Sequence, residues 1–176
     1  MGLFDKMKYN IDEDTYTIKD VNENLLGYFK KQNLSLGPKL KRIFWFEGTD
    51  GTPLGEIREV TRRKILVNRH EVYDAQNRLR GTLRPRGIWQ KWLIEDADGR
   101  QLAEVKMLKT FRGKWQILRG GEVIAQIQAP SFIEALKGKF VYQVDISHKD
   151  FDPLLILSCT VLTVDSEKRQ RDACIP

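Results

Sequence analysis

A short pattern of small, turn-forming and apolar residues recurs three times and limits the possible folds more than any other feature of the sequence. It has the form Gly-x-x-(Leu/Ile)-(Gly/Ala)-(Glu/Gln)-(Ile/Val) and begins at Gly51, Gly99 and Gly121. A related pattern, Asp-x-x-x-x-Leu-x-Gly, begins at Asp20 and Asp74. Asp and Gly favour tight turns, and the patterns lie between runs of aromatic and β-branched residues. Each repeat therefore predicts a β-hairpin.

The hairpins follow one another without a helix between them. Five of them by residue 127 give about ten strands, and the stretch 140–147 adds one or two more. Solenoids and propellers are alternatives, but a propeller blade needs about 40 residues and these units recur at roughly 25. The sequence therefore predicts a mainly β fold, a closed antiparallel β-barrel of about twelve strands. We expect residues 1–176 to form a single domain, with a short polar lead-in at 1–14 whose acidic run is solvated.

Two stretches interrupt the β pattern. Ser131 and Glu134 stand at capping-box spacing, which predicts one or two helical turns. From Pro153 to Val164 the chain carries no charge, and apolar residues point to every side of a helical wheel. Twelve residues span about 18 Å, too short for a hydrocarbon core of about 30 Å. We therefore expect a helix over 153–168 that fills the barrel, with Cys159 as a small core residue, and a buried strand as the alternative.

The order and spacing of the hairpins, followed by an apolar C-terminal helix, resemble the tubby C-terminal-like architecture. Within it the chain is most similar to the LURP-one-related family, with the phospholipid scramblases as relatives. The turn sets 20–27, 50–57, 74–81 and 98–105 and the helix 153–164 carry a resemblance that extends from about residue 16 to 168. It implies a twelve-stranded barrel around a central helix, with no catalytic residues known across the family. The sequence lacks the proline-rich tail and cysteine cluster of scramblases, so we do not expect lipid scrambling.

Positive charge dominates one part of the chain. The net charge is +6, and the stretch from Arg58 to Lys91 holds ten basic residues against three acidic ones. Guanidinium groups suit phosphate oxygens, and an exposed tryptophan suits a membrane interface. The residues predicted to bind anionic lipid are Arg62, Arg63, Lys64, Arg84, Arg86, Trp89 and Lys91. The alternative is a solvated outer face that blocks edge pairing, with the tryptophans in the barrel wall under arginine stems.

The sequence carries no motif of a known catalytic or metal site. It has no Gly-x-Ser-x-Gly elbow, P-loop or Gly-x-Gly-x-x-Gly fingerprint, and its cysteines lack zinc-site spacing. The stretch Asp96–Gly99 fails as a calcium loop, because Arg100 and Gln101 follow where an oxygen ligand and Gly are needed. Both histidines, His70 and His148, are expected at the surface. We therefore expect no enzyme, no cofactor and no metal.

The hypothesis favoured by these features is a non-enzymatic barrel that binds anionic phospholipid or phosphoinositide head groups, or a protein partner, at the cytosolic membrane surface. Single-stranded nucleic-acid binding on the basic and aromatic face and a plain interaction scaffold are the alternatives. An enzyme or carrier with its site inside the barrel is disfavoured, because the apolar helix would fill that space. With no signal-peptide pattern and no transmembrane segment, we expect a cytoplasmic protein, either free or peripheral at the membrane.

Overall fold

A computed structural model describes residues 3, 7–13, 16–36, 39–61, 68–86, 91–108 and 113–173, with the backbone alone at 34–36, 39–41, 61, 68 and 91. Twelve strands and two helices lie within these ranges. They are β1 (Lys8–Asp12), β2 (Thr17–Lys19), β3 (Leu25–Leu36), β4 (Lys39–Gly48), β5 (Pro53–Thr61), β6 (Asn68–Asp74), β7 (Leu79–Arg86), β8 (Lys91–Glu95), β9 (Gln101–Met107), β10 (Lys114–Arg119), β11 (Glu122–Gln128), α1 (Phe132–Leu136), β12 (Val141–Ile146) and α2 (Pro153–Ala173). Each strand pairs antiparallel with the next, and β1 pairs with β12 to close the barrel. The predicted fold class is confirmed.

Four hairpins turn through the same five-residue loop, at 20–24, 48–52, 74–78 and 96–100. In each loop the first N–H donates to the fifth carbonyl, the fourth N–H donates to the first carbonyl, and the fourth residue has a positive φ. In three of them an Asp at the first position accepts hydrogen bonds from the N–H groups two and four residues ahead. The two sequence patterns thus share one kind of turn in these four hairpins, whereas the repeat at Gly121 follows a two-residue turn between Arg119 and Glu122.

A β-bulge follows each turn and explains the small residue in the repeat. In the second hairpin Phe46 pairs with Gly55 and Glu47 with Pro53, which leaves Leu54 as the extra residue. The same shift occurs in the other four repeats, always one position before the small residue. The five bulge and small-residue pairs are Leu26–Gly27, Leu54–Gly55, Arg80–Gly81, Leu102–Ala103 and Ile124–Ala125. The repeat therefore encodes a bend in the strand as well as a turn.

The glycines after the bulge also give α2 room to approach the wall. A Cβ on Gly81 would lie 2.4 Å from the carbonyl oxygen of Glu95 and 3.2 Å from Leu155 Cδ2. A Cβ on Gly55 would lie 2.9 Å from Leu154 Cδ1. Gly81 therefore requires glycine, because backbone blocks the added methyl group, whereas at Gly55 the Leu154 side chain would have to shift.

Replacing Gly81 with alanine is expected to lower the free energy of unfolding by about 1–3 kcal/mol, because backbone must move to admit the methyl group. The measurement is urea denaturation followed by tryptophan fluorescence. Ala103→Gly is the matched control at the same position of the fourth hairpin, and a cost of about 0.5–1 kcal/mol is expected there. An equal or smaller loss in Gly81→Ala would contradict the steric argument.

The helix α2 occupies the axis of the barrel. Every residue from Leu154 to Asp165 is buried. Asp152 accepts a hydrogen bond from the backbone N–H of Leu154, so it caps the helix as its position suggests. Cys159 is fully buried, and burial raises the pKa of its thiol to about 12. The prediction of a core helix is confirmed, and the helix continues beyond the expected end at 168 to Ala173.

The first residues of the chain are more than a polar lead-in. The stretch 1–14 includes β1, whose Tyr9 and Ile11 side chains are buried in the core. Glu13 of the acidic run is only 2% exposed and accepts hydrogen bonds from Arg171 at 2.5 Å. Arg171 is 158 residues away in the chain, and its hydrogen bonds offset the energetic cost of burying this carboxylate.

The barrel has two ends, and the connections between strands assign each element terminus to one of them. We call the end with the loops 20–24, 48–52, 74–78 and 96–100 the turn end, and α2 begins there, since Arg80 and Asp152 form an ion pair at 2.8 Å. At the other end, the distal end, β5 and β7 finish, β6 and β8 begin, and α1 connects β11 to β12. The charged second half of α2 also emerges at the distal end.

Candidate functional site

The structure describes the side chains of two of the predicted binding residues, and both lie at the distal end. Arg84 and Arg86 lie on the last part of β7, and Arg86 pairs in register with Lys91, the first residue of β8. The Lys91 side chain is outside the described part of the chain. So are the other predicted residues, which are Arg62, Arg63, Lys64 and Trp89. Thr61 and Asn68, the strand ends on either side of the stretch 62–67, are paired with each other.

Ion pairs neutralise most of the described arginines between residues 58 and 91. Each of five arginines has a carboxylate partner, and three of these partners lie outside that stretch. The pairs are Arg58–Glu56, Arg69–Glu71, Arg78–Asp74, Arg80–Asp152 and Arg84–Glu95. Arg86 is exposed and has no carboxylate partner among the residues that the structure describes. The remaining described positive charge of this stretch therefore lies at the distal end.

A buried charged cluster lies inside the distal end and was not predicted from the sequence. Asp165 of α2, 8% exposed, contacts Lys31 Nζ at 2.6 Å, Arg42 Nη1 at 3.4 Å and Arg169 Nε at 3.0 Å. Glu59, also buried, accepts a hydrogen bond from Arg42 Nε at 3.2 Å. We refer to Lys31, Arg42, Glu59, Asp165 and Arg169 as the charged cluster. It joins α2 to β3, β4 and β5 by ion pairs where the apolar core ends.

His70 lies beside the charged cluster, in the interior. The expectation of a surface position is wrong: the side chain is 7% exposed, because His70 alternates with the core residue Val72 on the inner face of β6. Its ring packs edge-on against Trp92 with centroids 5.5 Å apart, and its Nδ1 has no hydrogen-bond partner among the described atoms. Burial lowers the pKa of His70 to about 4, so the imidazole is neutral at pH 7.

The second histidine lies at the opposite end of the barrel. His148 follows β12, is half-buried, and has its Nε2 3.1 Å from Glu122 Oε1. The two histidines therefore do not share a site. Across the described ranges, no three His, Cys, Asp or Glu side chains come together in an arrangement that could hold a metal ion.

The length and apolar character of the described helices decide whether either of them could span a membrane. Neither α1 nor α2 combines the length and apolar character that spanning a bilayer requires. In α2 the uncharged half is enclosed by the strands, and the other half carries charged residues from Asp165 onward.

The architecture defines a class of proteins: a closed twelve-stranded antiparallel barrel with a C-terminal helix along its axis. A family model for LURP-one-related proteins matches residues 1–164, and the chain belongs to this family. The X-ray structure of a protein from Arabidopsis thaliana shows a similar fold, with a TM-score of 0.59 and 23% sequence identity over 91% of this chain and 90% of that chain. No curated protein matches the chain.

Proposed function

We propose that this protein is a non-enzymatic barrel that binds anionic phospholipid head groups through the distal end, as a peripheral protein at the cytosolic membrane surface. The binding residues would be Arg62, Arg63, Lys64, Arg86 and Lys91, with Trp89 as an interfacial anchor and Arg84 as a secondary contact. Arg84 is secondary because Glu95 already neutralises it, at 2.8 Å.

The observation that carries the proposal is Arg86, an exposed arginine at the distal end. Within the stretch 58–91, the described arginines nearer the turn end, Arg58, Arg78 and Arg80, all have carboxylate partners. At the distal end Arg86 has none among the described residues, and the adjoining connections add further Lys and Arg. Each basic residue near an anionic surface contributes about 1 kcal/mol, so binding requires several of them on one side of the molecule.

The filled interior supports a role for the outer surface. Since α2 places buried apolar side chains along the barrel axis, it occupies the interior that a substrate or carried ligand would need. His70 is also only 7% exposed, which disfavours a role as a general base.

The test is co-sedimentation with vesicles of phosphatidylcholine alone or with phosphatidylserine or a phosphoinositide, at physiological salt. We expect binding to the anionic vesicles only. Replacing Arg62, Arg63 and Lys64 together with alanine is expected to weaken that binding about a hundredfold, from three charges at about 1 kcal/mol each.

A matched control removes the same charge from the turn end. Arg78, Arg100 and Lys149 are exposed, and their combined replacement with alanine is expected to weaken binding less than threefold. Equal losses in the two variants would show that net charge alone acts. Absence of binding to every vesicle would overturn the proposal, and a steep salt dependence with oligonucleotides would then favour nucleic acid.

A further inference from the structure

The short helix α1 presents three large apolar side chains to solvent. Phe132 is 78% exposed, Ile133 64% and Leu136 71%. No residue of α1 is buried. A groove lined by Asn10, Gln128 and Glu134 separates the helix from the strands. These side chains therefore contribute little to the core, and their exposure requires another explanation.

The helix holds its shape through its cap and not through packing. Ser131 Oγ accepts a hydrogen bond from the backbone N–H of Glu134 at 3.3 Å, and the Glu134 carboxylate accepts one from the backbone N–H of Ser131 at 2.8 Å. The predicted capping box is thus present. Its hydrogen bonds also engage the one acidic group of α1 at the N-terminus of the helix, away from Leu136.

Lysines border this apolar surface. Lys137 and Lys139 follow α1 directly and are exposed. An apolar projection flanked by lysines matches the chemistry of an anionic bilayer, whose head groups attract cations while the acyl boundary accepts apolar side chains.

The short length of α1 favours a bilayer over a protein groove as its binding partner. A groove that recognises a helix uses anchors at i, i+3, i+4 and i+7, which requires two turns. With five residues, α1 offers anchors only at i, i+1 and i+4, as Phe132, Ile133 and Leu136. A bilayer interface requires no such register.

The helix α1 lies at the same end of the barrel that we propose binds head groups. The helix joins the end of β11 to the start of β12, and the backbone of Ala129 donates a hydrogen bond to Gly113 beside the β9–β10 connection. It therefore lies at the distal end, as Arg86 does.

We propose that Phe132, Ile133 and Leu136 form a wedge that inserts into the interfacial region of an anionic bilayer, while the cations of the distal end hold the head groups. The inference rests on the proposed function and adds the part of the molecule that enters the membrane. Head-group attraction orients the distal end toward the surface, and the wedge then transfers its apolar area out of water.

The test uses the full chain with Cys174→Ser, in which the buried Cys159 is the remaining native cysteine. An environment-sensitive fluorophore is attached at Ile133→Cys, or at Ala97→Cys in the turn end as a control. With phosphatidylserine vesicles we expect a blue shift and quenching by bilayer-embedded nitroxide lipids at position 133, and neither at position 97.

A second arm measures affinity without a label. Phe132→Ala, Ile133→Ala and Leu136→Ala together are expected to weaken binding to phosphatidylserine vesicles at least tenfold while leaving its salt dependence in place. Val21→Ala removes an exposed apolar side chain at the turn end and is expected to have no effect. Thermal unfolding of the triple variant is expected to match the wild type, because α1 buries no side chain.

The outcomes separate the wedge from the head-group site. If wild-type protein binds anionic vesicles but the probe at 133 does not shift and the triple variant binds normally, the wedge is overturned and the proposed function stands. If no vesicle binds, both fail. If the triple substitution instead abolishes self-association or binding to a protein while vesicle binding persists, the surface is a protein contact and the wedge is again overturned.

Discussion

Replacing Asp165 with alanine is expected to lower the free energy of unfolding by about 3–5 kcal/mol, because it leaves the mostly buried Lys31 without its described carboxylate and Arg42 with Glu59 alone. Asp165 accepts from Lys31 at 2.6 Å and pairs with Arg42 and Arg169. The side chains of Lys31 and Arg42 are only 22% and 17% exposed, so water solvates them poorly once the carboxylate is gone. The measurement is urea denaturation at pH 7.

The exposed ion pair Lys8–Asp145, at 3.0 Å, supplies the matched control. Both side chains are more than half exposed, so Asp145→Ala is expected to cost less than about 1 kcal/mol. If Asp165→Ala cost no more than Asp145→Ala, the charged cluster would not hold α2 in the barrel.

Acidification from pH 6.5 to pH 4 is expected to remove about 3 kcal/mol of stability through His70 alone. Burial first, and the nearby Arg42 and Arg169 as well, lower its pKa in the folded state to about 4, against the neighbouring carboxylates Glu59 and Asp165. The unfolded chain, with a histidine pKa of about 6.5, binds the proton first. The stability is therefore complete above pH 6.5 and declines as the pH falls toward 4.

The difference between wild type and His70→Leu isolates this effect, since the carboxylates titrate in both proteins. Urea denaturation at half-unit steps from pH 4 to pH 7.5 is expected to give a shallower dependence in the variant over that window. Parallel curves would show that His70 does not remain neutral in the folded state.

The hairpins could be predicted because their determinants are local. A turn Asp bonds N–H groups two and four residues ahead, and the residue with positive φ lies within the same loop. The common start of the turns was harder to identify. In the fourth hairpin the Asp98–Gly99 dipeptide is the strongest signal, yet Asp96 accepts the hydrogen bonds. In the second hairpin Gly48 takes the Asp position.

The ion pairs could not be predicted because their partners are distant in the chain. Lys31 and Asp165 are 134 residues apart, and Arg80 and Asp152 are 72 apart. A count of charges between residues 58 and 91 therefore overstated the free positive charge. His70 illustrates the same limit: polar sequence neighbours suggested the surface, whereas its alternation with Val72 was the signal of an inward-facing position.

The helix at the centre of the core, α2, is the last described element of the chain, and this order has a consequence for synthesis. All twelve strands leave the ribosome before α2, although their inner faces pack against it. The barrel closes only when β1 pairs with β12, where Lys8 lies opposite Asp145, so β1 has no partner on that edge until β12 has been made. Until then the nascent strands expose apolar faces and unpaired edges, as chains rich in non-local pairings do. We therefore expect the barrel to consolidate only after α2 has been made, and the unfinished chain to depend on chaperones.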